Sequence, residues 1–393
     1  MSRKIIKPFS VIVLVLMSCL LFSCSVEQEI LNHLEISENS PESIINYISA
    51  NTVRGVNQNN NIQYWGFSVM VEEYIFFADG LGIHRTNRLF ENIETLVLNK
   101  NLLGNPTAFD TFNMQYLSMF RGLQYYDNRI YFLDQRNFTI YSMDIYGNNI
   151  LPILSASEIA QGGKIADFIL ANNKIYFYYF TGDSDGRLKS FNIETRKIID
   201  FGIRAFLFSL SPDSRELHFD YDMALTALNL EDETIHDRMP HNIQTLLWDN
   251  RGILGIITNR TISDGRIFFS APSARNSMIL VINEDGYAEE LYTRDEGIID
   301  FHINSVNEWI YFTVTYWDER VLHMYRIRND GSGLEVVYEN LVVDFPGMQT
   351  IFINIFSEDI ILFQRSPTFH NIYALLRNPE TDELEMKHIN PIN

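Results

Sequence analysis

One pattern constrains the fold more than any other. A triplet of apolar and aromatic residues returns along the chain as Ile75-Phe76-Phe77, Ile130-Tyr131-Phe132, Ile175-Tyr176-Phe177, Leu217-His218-Phe219, Ile267-Phe268-Phe269, Ile310-Tyr311-Phe312 and Ile361-Leu362-Phe363. Successive copies begin 42 to 55 residues apart. Within about a dozen residues of each triplet comes a second β-like stretch, such as Ile140-Tyr141-Ser142, Ile279-Leu280-Val281 or Leu322-His323-Met324-Tyr325. Turn signals follow, as in Glu284-Asp285-Gly286 and Asn329-Asp330-Gly331, and further strand-like runs precede and succeed the pair. Repeated β-branched and aromatic runs separated by Gly and Asn turns exclude a helical solenoid. Four short strands repeated at this period predict an all-β chain, a β-propeller of four-stranded blades. Residues 62–393 give about seven blades of roughly 47 residues, with six or eight left open.

The start of the chain reads as an address. Arg3, Lys4 and Lys7 precede an apolar stretch from Phe9 to Phe22 that is short for a spanning helix, followed by Ser23 and Cys24. A basic segment, a short apolar segment and small residues describe an export signal over residues 1–23. Leu21-Phe22-Ser23-Cys24 resembles a bacterial lipobox, although Phe22 is bulkier than that pattern usually places there; an ordinary secretory signal or an uncleaved anchor is the alternative. The resemblance implies lipidation at Cys24 and an exported, membrane-anchored lipoprotein of the bacterial cell envelope, the particular membrane left open. The other cysteine, Cys19, lies within the signal, so an exported body would have no internal disulfide. Residues 24–61, ending in the run Asn57-Gln58-Asn59-Asn60-Asn61, read as a lipidated N-terminus and flexible tether.

Charge narrows the partners. The chain carries −20, which becomes −23 once Arg3, Lys4 and Lys7 leave with the signal. That excludes a nucleic-acid binder, which needs a basic surface, and favours a basic partner. The body should stand off anionic lipid, touching the membrane through its N-terminal lipid alone.

Several repeats resemble known propellers. Ile75-Phe76-Phe77-Ala78-Asp79 and Ile130-Tyr131-Phe132-Leu133-Asp134 look like degenerate copies of the Tyr-Trp-Thr-Asp repeat of low-density-lipoprotein-receptor-type propellers. Ile310-Tyr311-Phe312-Thr313 with Met324 to Gly333 is the clearest copy, and resembles repeats of bacterial exported proteins with a propeller domain of unknown function. Ser211-Pro212-Asp213-Ser214-Arg215-Glu216-Leu217-His218-Phe219 resembles the TolB-type repeat instead. In the resembled repeat the aspartate is mainly structural, so Asp79 and Asp134 are read as structural. The equivalent positions of later copies hold Tyr179, Tyr221, Ala271 and Val314.

Binding chemistry on a rigid scaffold usually sits on the longer loops. The turns before each triplet and those after its partner strand read as tight, as at Asp127-Asn128 and Asn172-Asn173, which puts those loops on the opposite face. The richest is Tyr316-Trp317-Asp318-Glu319-Arg320, which joins aromatic surface to two carboxylates and a guanidinium, the composition of a protein or sugar contact. Asp183 and Asp185 resemble half of a calcium loop, but without a downstream bidentate glutamate they read as a solvated turn. His236 and His241 are the closest histidine pair, read as surface residues rather than metal ligands.

Nucleotide, zinc-protease and serine-hydrolase motifs are missing from the sequence, and cysteine catalysis has no residue available. The expectation is a monomeric, non-catalytic binding or scaffolding module without cofactor, holding a protein, peptide or glycan partner. The alternative is an envelope glycoside or peptide hydrolase or lyase using carboxylates at the propeller channel. A third reading, part of an envelope assembly machine, is suggested by the TolB-like repeat alone. Two or more buried acids or histidines converging in a channel pocket would favour the enzyme, and an aromatic-rich loop face the binder.

Overall fold

A computed structural model describes residues 66–98, 120–238, Asn242 and 260–389, apart from short loop segments within them. The segments left out are 80–81, 136, 161, 182–185, 212–214, 222–223, 239–241, 264–265, 273–276, 284, 295–297, 317–320, 343–350 and 366–370. The proposed signal, Cys24 and the tether therefore lie outside the described residues, as do Trp317, Asp318, Glu319, Arg320, Asp183, Asp185 and His241.

Seven antiparallel sheets, each of four strands consecutive in sequence, make a seven-bladed β-propeller. Blade one is β1 (Ser68–Val71), β2 (Tyr74–Ala78), β3 (Gly82–Asn87) and β4 (Glu94–Leu98). Blade two is β5 (Phe120–Tyr126), β6 (Arg129–Asp134), β7 (Thr139–Met143) and β8 (Leu151–Ser155). Blade three is β9 (Gly163–Ala171), β10 (Lys174–Thr181), β11 (Arg187–Asn192) and β12 (Ile198–Asp200). Blade four is β13 (Phe206–Leu210), β14 (Glu216–Tyr221), β15 (Ala224–Asn229) and β16 (Ile235–Asp237). Blade five is β17 (Arg260–Ser263), β18 (Arg266–Pro272), β19 (Ser277–Ile282) and β20 (Ala288–Arg294). Blade six is β21 (Ile298–Val306), β22 (Trp309–Tyr316), β23 (Val321–Arg328) and β24 (Glu335–Val342). Blade seven is β25 (Ile351–Ser357), β26 (Ile360–Arg365), β27 (Asn371–Arg377) and β28 (Leu384–Ile389).

The first strands of neighbouring blades pack together, β1 on β5, β5 on β9, β17 on β21 and β21 on β25, so they line the centre and the fourth strands form the rim. This explains the triplets. A second strand is covered on both faces, so it reads as a continuous apolar run rather than an alternation. In β2, Ile75 and Phe77 enter a core shared with Leu362 and Ile372 of blade seven, while Phe76 and Ala78 enter one shared with Ile130 and Phe132 of blade two. Each blade thus contributes two half-cores to two seams.

The ring closes without strand exchange. Asn354 donates to the carbonyl of Ser68 at 3.3 Å and Gln364 to that of Ala78 at 3.3 Å, joining last blade to first beside their shared apolar core.

The turns also follow from sequence. Asp127-Asn128 and Asn172-Asn173 both take positive φ at both positions, the conformation of a two-residue type I′ hairpin. A further signal recurs in every blade where the third strand ends. The side chains of Asn87, Asp144, Asn192, Asn229, Asn283, Asp330 and Asn378 each accept from a backbone N–H two to four residues on, at 2.7–3.2 Å. These Asx turns hold links of five to seven residues, so the turns after the third strand are not the tight ones that the sequence suggests.

Candidate functional site

The loop face is the end of the molecule where second strands finish and third strands begin. There, at the seam between blades five and six, five polar or aromatic side chains converge. Period-two alternation puts Tyr292 and Arg294 on one face of β20, and His323 and Tyr325 on one face of β23. Tyr316, the last residue of β22, completes the group.

Arg294 donates through Nη2 to the Tyr316 hydroxyl and through Nη1 to that of Tyr292 at 3.5 Å. Its guanidinium carbon lies 5.2 Å from the Tyr316 ring centroid and 4.9 Å from that of Tyr325, within cation–π range. The Tyr316 and Tyr325 hydroxyls are 3.2 Å apart. His323 has its ring 5.0 Å from Tyr316 and nearly parallel to Tyr325 at 6.2 Å. Its Nε2 is buried and finds no hydrogen-bond partner among the described residues.

Electrostatics hold the Tyr316 phenol neutral and the Arg294 guanidinium charged. Burial, reinforced by the bond to Tyr325, pushes the Tyr316 phenol up to about 12, so it stays a neutral donor. Burial is also the largest influence on Arg294 and works against its charge, but Tyr325, Tyr292 and Tyr316 outweigh it and raise the group above its ordinary value. The result is a fixed cation framed by phenols, able to orient a carboxylate, a sugar hydroxyl or a backbone carbonyl.

A second charged feature lies on the inner strands. Arg121 near the start of β5 and Asp167 in β9 face one another across the second seam. Burial pushes the Asp167 carboxyl up to about 7, against the Phe168 N–H that donates to it at 2.8 Å and the charge of Arg121. Burial likewise pulls Arg121 down to about 9, with Asp167 acting in the opposite sense. One carboxylate beside one guanidinium is not the acid pair that glycoside hydrolysis uses. Among the described residues no group of three or more His, Cys, Asp and Glu is placed to hold a metal, and no helix is long and apolar enough to cross a membrane.

Of the residues singled out from sequence, Tyr316 stands in the seam cluster. Asp79 and Asp134 close their second strands and are buried in blades one and two. Asp79 accepts from the Gly82 N–H at 2.9 Å and from His84 Nε2 at 2.8 Å. His236 sits on the exposed β16, 2.8 Å from the Thr234 hydroxyl. Sequence reading missed Arg294, Tyr292, Tyr325, His323, Arg121 and Asp167. Tyr-x-Arg and His-x-Tyr spacings were legible as one-face pairs, whereas their meeting across a seam was not.

No family model matches the chain, and no curated protein matches it. Similar solved structures include a prolyl endopeptidase at TM-score 0.55 and 10% identity, aligned over 90% of this chain and 53% of that one. TolB from Acinetobacter baumannii aligns at TM-score 0.40 and 11% identity, over 66% of this chain and 61% of that one. A chain of a nidogen/laminin complex aligns at 0.42 and 12%, over 67% and 92%. This chain therefore spans between half and two thirds of the length of the first two. At 10% identity the likeness to the endopeptidase is one of fold alone, in keeping with the seven-bladed β-propeller that the sheet order itself defines; the neighbours include an enzyme as well as TolB and nidogen.

Proposed function

We propose that this protein is a lipid-anchored envelope propeller that works as a binding or scaffolding module for a protein, peptide or glycan, with the loop face at blades five and six as the contact surface. The observation that carries this reading is the Arg294 guanidinium framed by Tyr292, Tyr316 and Tyr325, the second of which immediately precedes residues 317–320 in sequence. Tyrosine and arginine dominate binding energy where they are held in place, because little side-chain freedom remains to be lost. The charge of −23 left once Arg3, Lys4 and Lys7 are gone would speed encounter with a basic partner, while Arg294 gives a local anchor for an acidic or hydroxyl group on it.

Crosslinking capture from intact cells tests the reading, with wild type compared against a Tyr316→Ala, Trp317→Ala variant. A partner held by wild type and lost by the variant supports the binding face. Equal capture by both moves the contact elsewhere. For the anchor, Cys24→Ala is expected to abolish incorporation of labelled palmitate and release the protein from membranes; a fully processed, membrane-bound variant would refute lipidation.

The enzymatic reading has one observation in its favour, the raised carboxyl of Asp167 on the inner strands. Turnover in a glycan and peptide substrate screen that disappears in Asp167→Asn would put catalysis in the channel.

A further inference from the structure

A threonine, a histidine and an aspartate form a relay in blade one, well apart in sequence from the Arg294 cluster. Cross-strand register sets Thr95 of β4 opposite His84 of β3, and His84 opposite Phe77 of β2, so the three share the sheet face turned toward blade seven. Thr95 Oγ1 is 3.1 Å from His84 Nδ1, and His84 Nε2 is 2.8 Å from Asp79 Oδ1. The imidazole rests on the Phe77 ring with centroids 5.1 Å apart. Asp79 is fixed in turn by the Gly82 N–H on Oδ1 and by its own N–H donating to the Gly82 carbonyl at 3.0 Å.

Accessibility divides these residues in a chemically useful way. Asp79 and His84 are 0% and 1% exposed, whereas Thr95 is open to solvent. With the Nε2–H donating to the Asp79 carboxylate, the Nδ1 lone pair is left to face the threonine hydroxyl. A hydroxyl in reach of a base that is itself oriented by an acid is the arrangement of an activated nucleophile.

The same three residue types occur elsewhere in another order, which supplies an internal control. Thr234 Oγ1 lies 2.6 Å from Asp232 Oδ1 and 2.8 Å from His236 Nε2, with all three exposed. There the threonine is in the middle, and among the described residues no acid hydrogen-bonds the histidine to orient it.

We propose that Thr95 is an activated hydroxyl that accepts one acyl group from an activated carboxylic ester. Oγ1 attacks the carbonyl carbon while its proton passes to His84 Nδ1. The bond from that carbon to the leaving oxygen breaks, the proton departs with the released alcohol or phenol, and the acyl group stays on Thr95 as an ester. Asp79 is a positioning residue that holds the tautomer of His84.

The test incubates the full chain with p-nitrophenyl acetate and reads both nitrophenolate release and, by peptide mass spectrometry, the acetylated residue. Wild type should acetylate at Thr95 and not at Thr234. Thr95→Val should lose the release, Thr95→Ser should keep it, and Asp79→Asn should slow it about 100-fold, because a His84 ring no longer held in the right tautomer forfeits at least the lower end of what a placed base supplies. Thr95 is exposed, so both of its variants should fold, and they decide the matter if Asp79→Asn does not. An unlabelled wild type, equal labelling of Thr95 and Thr234, or unchanged release from Thr95→Val would overturn the proposal.

Discussion

Arg294, the last residue of β20, donates across the fifth seam to the hydroxyl of Tyr316, the last residue of β22. Two blades that share no backbone hydrogen bond among the described residues are thus tied at their loop-face ends by a side-chain bond laid over an apolar core of Phe268, Ile279, Phe312 and Val314. The relationship holds the Tyr316 hydroxyl against the Arg294 guanidinium across the seam.

That contact has a measurable energy. In a double-mutant cycle on unfolding, Arg294→Ala and Tyr316→Phe should couple by about 1 kcal/mol, the order of a partly exposed hydrogen bond from a charged donor, since the phenylalanine keeps the ring and loses only the hydroxyl. Additive effects would mean that the seam does not use the bond.

The second seam should be less forgiving. Gly122 has φ +62 where the register of β5 slips between Arg121 and Gln124, and an added Cβ would fall 2.8 Å from Phe168 Cε1. Gly122→Ala combines a left-handed backbone with a clash into a packed ring. It should destabilise by about 2 kcal/mol or more, read as a lower denaturation midpoint at unchanged slope. Gln124→Ala should cost a similar amount, because it strips the Phe168 carbonyl and the Leu170 N–H of bonds of 2.8 and 3.0 Å.

Asp167 predicts the sign of a pH dependence. Its folded value of about 7 lies above the ordinary 3.8, so between those limits the folded chain keeps a proton that the unfolded chain has released. The contribution of Asp167 to stability is therefore fully present below about pH 4 and is lost as pH rises toward 7. Asp167→Asn should remove that decline, which the difference between the wild-type and variant denaturation curves would reveal across this window. A variant whose stability runs parallel to wild type would contradict the assignment.

Blade number and strand order were readable because a propeller repeats one burial environment seven times. Each second strand has to be apolar on both sides, and triplets such as Ile75-Phe76-Phe77 record that requirement directly. The Asx side chains from Asn87 to Asn378 record a local requirement in the same way, since an Asx turn closes within four residues. Local chemistry of this kind is written in a single stretch of chain. The repeat aspartates were a poorer guide, being present at Asp79 and Asp134 but replaced by Tyr179 and Val314 in other blades.

What the sequence by itself determined was the all-β class, the repeat, and Tyr316 as a residue to watch. Tertiary structure alone decided that Tyr316 meets Arg294 from the neighbouring blade, that Arg121 faces Asp167 across 46 positions of sequence, and that Thr95, His84 and Asp79 line up in one relay. The physical reason is common to all three. Period-two alternation says which residues share a face, but which face meets which depends on register across strands and on the docking of whole blades, and both are fixed by core packing summed over many residues.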